Sequence, residues 1–316
     1  MVGRRLRAAI PVLVLVGLGG LIATQNGMFL QPGNLVRVAS AASIPLVLAL
    51  GATFVILLGS IDLSVEGVMA VGSVALSLLV RNDGSTADWG LVAVVPVLLA
   101  GATIGALNGL LHVGFRIPSF MVTLGTWFAG VGLATVLLGG GTVRVTDPSI
   151  RGLALDRWLG FPLIVWVALL ALFVAWVIQT YTRTGRYIYA IGGGEDLAAL
   201  SGVPVARVKV ATFALAGTFY ALGGVMAAAQ LGQGNAVIGE GRLFTTITAV
   251  VVGGSALSGG EGGVLNTFVG VLVVAVLANG LVLLGVSPYW QQTVQGAMIV
   301  VAVALSVERK RARIVK

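Results

Sequence analysis

Apolar residues run along this chain in long blocks that are broken only by glycines and short polar clusters. The blocks fall near 8–24, 41–58, 65–80, 90–112, 119–138, 162–180, 210–231, 243–257, 264–285 and 290–307. A helix of ~20 apolar residues crosses a bilayer. A transmembrane β-barrel would instead alternate apolar and polar positions, and runs such as VGVLVVAVLANGLVLLGV (269–286) do not. The pattern predicts an all-α polytopic membrane protein of about ten transmembrane helices. The blocks at 65–80 and 243–257, and the one ending at 58, are short or glycine-interrupted, as expected of broken or re-entrant helices lining a substrate path. The stretch VVGGSALSGGEGGV (251–264) is too rich in glycine to be regular helix throughout. Irregular backbone at membrane depth must be buried in protein or line a wet cavity. The first block follows MVGRRLR as a signal peptide's core would, but Gln25 and Asn26 come next with no A-x-A site, so a retained helix is expected.

Composition agrees with the pattern: 58% of the 316 residues are hydrophobic and 9% charged, against about 25% charged in soluble domains. With the N-terminus cytoplasmic, ten crossings return the C-terminus to the same side. Thirteen of the nineteen basic residues then lie inside, among them Arg4, Arg5, Arg7, Arg116 and the tail Arg309–Lys316; Arg37, Arg81, Arg144, Arg151, Arg157 and Arg242 lie outside. The net charge of +8 thus reads as topology and contact with the lipid bilayer, not as a nucleic-acid footprint. Trp127, Trp166, Trp176 and Trp290 are expected as interfacial anchors.

Several chemistries have no residues here. There is no cysteine and only one histidine, His112, so a Cys- or His-based metal site is not expected. The lysines are Lys209, Lys310 and Lys316, none in a G-K-[ST] setting, so the chain has no Walker A motif. No GxSxG motif exists for a hydrolase. No cofactor is expected. Transport, a channel or a scaffold remain.

Two hydrophilic segments are long. The outer one is 139–161; the inner one is YTRTGRYIYAIGGGEDLAALSGVPVARVKV (181–210). In GGGEDLAALSG the acidic pair Glu195 and Asp196 marks a helix start, Gly202 its stop, and Pro204 lies just beyond. A short cytoplasmic helix is predicted, either an ordinary structured loop or a docking element. Overall the chain reads as one transmembrane domain, 1–316, with a cytoplasmic loop at about 181–209.

LLGSIDLSVEG (57–67) carries two carboxylates four residues apart in otherwise apolar surroundings. On one helix they would share a face and repel at low dielectric. Asp62 is expected to cap a helix starting near Leu63. Glu66 has three outlets: a polar substrate, a pair with Arg116, or the cytoplasmic headgroups. Other polar residues at depth are Asn108, Thr123, Thr126, Gln230, Thr245, Thr246, Thr248 and Asn279; Thr123 and Thr126 share a face, as do Thr245 and Thr248. Interhelical hydrogen bonds of ~0.6 kcal/mol account for any one of them. As a group, Asp62, Glu66, Asn108, Thr123, Thr126, Thr245 and Thr248 are candidates for a translocation path.

Four stretches, GSIDLSVEGVMAVGSV (59–74), GALNGLLHVGFRIPSFMVTLGTWF (105–128), TRTGRYIYAIGGGEDLAALSGV (182–203) and VVGGSALSGGEGGVLNTFVG (251–270), resemble the membrane permease subunits of ribose-type ABC sugar importers. The resemblance covers most of the chain in order. It implies a ten-helix permease paired with a second permease chain, a periplasmic sugar-binding protein outside, a cytosolic ABC ATPase inside, and a monosaccharide or similar polyol as cargo. It also implies that the ATPase couples through Thr184, Gly185, Arg186, Gly192, Gly193, Glu195, Asp196, Ser201 and Gly202. Ser60 and Glu66 stand where the family usually has glycine, Gly194 where it has asparagine, and Ala199 where it has a basic residue. The rival readings are an ion-coupled secondary transporter using Asp62 and Glu66, and a non-transporting scaffold.

Overall fold

A computed structural model describes residues 2–84 and 86–306. Each predicted apolar block is wholly or largely helical. The helices are α1 (Val2–Gln25), α2 (Pro32–Leu57), α3 (Val65–Leu79), α4 (Val94–Gly114), α5 (Ser119–Leu137), α6 (Pro148–Leu155), α7 (Leu163–Tyr181), α8 (Arg183–Gly193), α9 (Glu195–Leu200), α10 (Val205–Leu231), α11 (Arg242–Val252), α12 (Val264–Leu283) and α13 (Pro288–Ser306). Among the described residues six are long and apolar enough to cross a membrane: α2, α4 with the 3₁₀ turn before it, α5, α7, α10 and α12. The tail basic residues Arg309–Lys316 lie outside the described residues.

Burial sorts these helices. In their most apolar windows α2 is 83% buried and α10 67%, whereas α5 is only 11%. The first two therefore form the core, around Leu48, Leu50, Phe54, Phe213, Tyr220 and Met226, and α5 faces outward. Glycine sets the spacing at the centre. A Cβ on Gly105 would collide with the backbone of Phe213, and one on Gly217 with the backbone of Gly101, so α4 and α10 meet backbone to backbone. Without a hydrophobic force between helices in lipid, such close van der Waals contact is what holds a pair together.

Helix ends share one device. In α2 the Gly59 and Ser60 amides donate to the Ile56 and Val55 carbonyls, and in α11 the Gly254 and Ser255 amides donate to those of Val251 and Val250. Gly59 and Gly254 are left-handed (φ 82° and 93°), as this C-terminal motif requires. The apolar block predicted at 243–257 thus stops being helical at Val252.

Outside the spans, Asp147 caps α6, its Oδ1 accepting from Ser149 N at 2.8 Å and Ser149 Oγ at 2.6 Å. Burial pushes its carboxyl up, but these bonds outweigh it and hold the group below the ordinary carboxylate range. Val143–Arg144 pairs with Gln233–Gly234 as a short antiparallel ladder. Trp166 donates to the Trp158 carbonyl at 3.1 Å and packs edge-on to its ring, in keeping with an anchor. Trp127 is different: it lies halfway along α5, away from either end.

Candidate passage and coupling element

The segment Leu58–Ser64 between α2 and α3 is irregular, and its amides must find partners. Two come from the start of α5: Ser119 Oγ accepts from Ile61 N at 3.1 Å and Thr123 Oγ1 from Leu63 N at 2.9 Å. The third is Asp62, whose Oδ1 accepts from Ser64 N at 2.8 Å and Ser64 Oγ at 2.6 Å. Helix α3 begins at Val65 and Ser64 is its N-cap residue, so Asp62 does not cap a helix at Leu63 as expected; it braces the turn before α3. The polar chain continues, with Asn108 Nδ2 donating to Ser64 Oγ at 3.3 Å and Thr126 Oγ1 donating to Asn108 Oδ1. Asp62, Ser64, Asn108 and Thr126 are therefore one hydrogen-bonded chain, and Thr123 braces the neighbouring Leu63 amide. Asp62 Oδ2 and the Tyr220 hydroxyl of α10 face each other, and neither has another partner.

Glu66 does not share a helix face with Asp62, because the helix starts between them. Its Oε1 accepts from Leu243 N at 3.0 Å, at the start of α11. The N-cap residue there, Gly241, has no side chain to offer, so a carboxylate from α3 does the capping. This contact to a backbone amide was not among the outlets expected for Glu66. The level of this contact follows from α5. A Cβ on Gly67 would lie 2.6 Å from Trp127 O, and one on Gly130 2.8 Å from Gly67 C, so the start of α3 faces the middle of α5 (Ser119–Leu137). A Cβ on Gly239 would lie 2.9 Å from Glu66 Cα. The chain therefore descends from the Gln233–Gly234 ladder along α3, and α11 starts at mid-depth. Glu240 and Arg242, expected in an outer loop, lie beside Glu66, level with the middle of α5.

Thr245 and Thr248 use their hydroxyls within α11, donating to Arg242 O at 2.9 Å and Phe244 O at 2.7 Å. They make no bond to the network around Asp62. Thr53 and Thr267, absent from the predicted set, bond each other between α2 and α12 at 2.7 Å.

The inner loop forms two helices rather than one. Thr182 starts α8, its hydroxyl accepting from Gly185 N at 3.2 Å. Gly185 is buried, and a Cβ there would strike the backbone of Ile178 and Gln179. Thr184 is half-buried, while Arg186 and Gly193 face outward. At Gly192 a Cβ would overlap Leu57 O and lie 2.5 Å from Gly260 N, two atoms already joined by a 2.9 Å hydrogen bond. A Cβ on Gly259 would lie 2.8 Å from Gly59 Cα. The end of α8 is thus wedged between the two helix breaks. Tyr189 adds a bond to Gly262 O at 2.7 Å, and Gln179 Oε1 accepts from Val264 N at 2.7 Å, capping α12. Sequence reasoning missed Gln179 and Tyr189, because an isolated polar residue near a span end carries no signal of its partner.

Helix α9 starts at Glu195 and ends at left-handed Gly202 (φ 81°), as predicted. Glu195 pairs with Lys209 at 2.8 Å, and the Ser201 hydroxyl turns back to Leu197 O, so both are engaged within the chain. Asp196 is exposed. Beside it Leu197 and Leu200 are 71% and 85% exposed, an apolar pair one turn apart on a helix outside the spans. The spacing was visible in the sequence as LAAL, but not its exposure.

Against known proteins, residues 34–303 match the family described as branched-chain amino acid transport system / permease component. The ribose import permease protein RbsC of Escherichia coli K12 is 35% identical over 302 residues, covering 94% of this chain and 92% of that protein. RbsC of Bacillus subtilis 168 is 36% identical over 303 residues (95% and 92%). The galactose/methyl galactoside import permease protein MglC of Escherichia coli K12 is 32% identical over 308 residues (93% and 92%). No solved structure matches. The chain belongs to the branched-chain amino acid transport system / permease component family, as a multi-pass inner-membrane permease subunit of an ABC importer whose ATP hydrolysis falls to a separate subunit.

Proposed function

We propose that the chain forms the passage for a monosaccharide or similar polyol delivered by a periplasmic binding protein, with both termini cytoplasmic and ten helical segments in the bilayer. In this reading it pairs with a second permease chain, and a cytosolic ABC ATPase docks on α8 and α9. The relatives named for ribose and galactose import support the cargo class. The observation that carries the docking assignment is the position of α8. It lies outside the six candidate spans, yet Gly192 packs against both helix breaks. A push on this element reaches irregular backbone at depth with no intermediary. Residues on its outer face, Arg186, Gly193 and Asp196 together with Leu197 and Leu200, meet the ATPase, while Thr184, Gly185, Gly192, Glu195, Ser201 and Gly202 hold the shape that presents them. Asp62, Asn108, Thr123 and Thr126 line or support the inner part of the passage. Glu66 is committed to a backbone amide, which favours a pump driven from outside the chain over an ion-coupled carrier.

The test is reconstitution in proteoliposomes with the ATPase and binding protein. Uptake should require both, and an ion gradient alone should not drive it. Leu197→Asp with Leu200→Asp should lower ATPase recovery at least tenfold while the permease inserts normally. Undiminished ATPase recovery, or uptake without ATP, would sink the assignment.

A further inference from the structure

The mid-depth start of α11 holds two charges that the rest of the chain leaves unanswered. Among the described residues, the side chains of Glu240 and Arg242 have no hydrogen bond or ion pair. Glu240 is exposed on the surface of this chain and Arg242 is partly buried. Their level is fixed by Glu66 and Gly239 opposite the middle of α5. Ionised side chains at that depth are costly against hydrocarbon, so they face a wet cavity or protein and mark substrate pathways. The residues around them, Val237 and Phe244 at 56% and 57% exposure, give no partner that would neutralise them. A second, independent observation points the same way. Thr246 lies four residues beyond Arg242, on the same helix face. It is fully buried and its hydroxyl has no partner.

We propose that Glu240 and Arg242, with Thr246 behind them, form a polar station halfway through the passage that takes the hydroxyls of a neutral polyol. This rests on the passage reading and narrows its cargo. A carboxylate accepts hydroxyl protons and a guanidinium donates to hydroxyl oxygens, so adjacent hydroxyls of one sugar engage both at once. An anionic solute meets the carboxylate of Glu240; a cationic one meets the guanidinium of Arg242. A half-helix N-terminus aimed at the path is the arrangement by which broken helices handle polar cargo at the bilayer centre. Here Glu66 takes up the Leu243 amide, which leaves the side chains to do the recognition.

The experiment uses the complete transporter in proteoliposomes, with ribose and galactose as probes. ATP- and binding-protein-dependent uptake by the unaltered chain tests the passage reading by itself. Glu240→Gln and Arg242→Gln should each cut uptake at least tenfold, with binding-protein-stimulated ATP hydrolysis kept within twofold. A structural role would lower both together, and that result would overturn the station, as would uptake within twofold of the unaltered chain. A second arm needs no substrate assignment. The chain has no cysteine, so Glu240→Cys or Val237→Cys carries the sole thiol. A charged, membrane-impermeant thiosulfonate should label either one, and no labelling at both positions would show a lipid-facing surface and dismiss the proposal.

Discussion

Replacing Glu66 by alanine tests the most unexpected contact in the chain. Glu66 is 6% exposed, and its Oε1 accepts from Leu243 N at 3.0 Å. Gly241, at the N-cap, supplies no side chain, so this is the only side-chain bond the first turn of α11 receives among the described residues. A lost cap costs about 0.5–2 kcal/mol, and a buried donor left unpaired costs about 1–3 kcal/mol. These are two measures of one event and do not add. We expect about 2 kcal/mol, near thirtyfold in an opening equilibrium. Glutamine keeps an acceptor oxygen but loses the charge, and charge-assisted bonds are roughly twice as strong as neutral ones. Glu66→Gln should therefore retain about half. The assay is amide exchange in nanodiscs: protection of Leu243 and its neighbours should fall about thirtyfold in Glu66→Ala and about fivefold in Glu66→Gln, with α7 unchanged. Equal protection in all three proteins would refute the cap, and a uniform loss across the chain would show general unfolding instead.

Three further outcomes follow from the same geometry. Gly192→Ala places a methyl group on the Leu57–Gly260 bond; uptake should drop at least tenfold in vesicle assays while the ATPase still co-purifies, and normal uptake would show that the junction yields. Asp62→Ala removes the acceptor for both Ser64 donors and should reduce folded permease in gel-filtration yield, whereas Asp62→Asn, which still accepts, should restore most of it. Asp147→Ala should destabilise the α6 loop by about 1 kcal/mol; because the folded carboxyl sits below its unfolded value, the contribution is complete above about pH 5 and lost only as pH falls through the folded value, so protease sensitivity of this loop should be flat from pH 6 to 8.

The helices were legible in the sequence because their signal is local: a run of apolar residues says helix whatever surrounds it. The α9 helix was legible for the same reason, through its acidic start and Gly202. What was not legible was every partner brought by the tertiary fold. The sequence leaves Glu66 a polar substrate, Arg116 or headgroups as outlets and gives no sign of the amide 177 residues away that its Oε1 accepts from. Arg242 was placed in an outer loop because nothing in QGNAVIGEGR distinguishes a surface loop from one that descends beside a helix; only the Gly239–Glu66 contact does. Asn108, Thr123 and Thr126 stand out in the sequence as polar residues in apolar blocks, while Ser64 and Ser119, which bond beside them, look like ordinary small residues of a membrane helix.

The contacts of Glu66 and of the first helix break also impose an order on synthesis. Ile61 and Leu63 emerge from the ribosome 58 and 60 residues before the hydroxyls that accept their amides. Glu66 precedes Leu243 by 177 residues. The second break inherits its partners ready-made, since Leu57 and Gln179 are already in place when Gly260 and Val264 arrive. A nascent chain that has inserted α2 and α3 thus carries bare amides until α5 follows some 60 residues later, and an unengaged carboxylate for more than half of its translation. During that interval, water at the lateral gate of the insertion machinery, or the proton that neutralises a carboxylate in lipid, has to stand in for α5 and α11. The late arrival of α11 releases that stand-in and closes the fold.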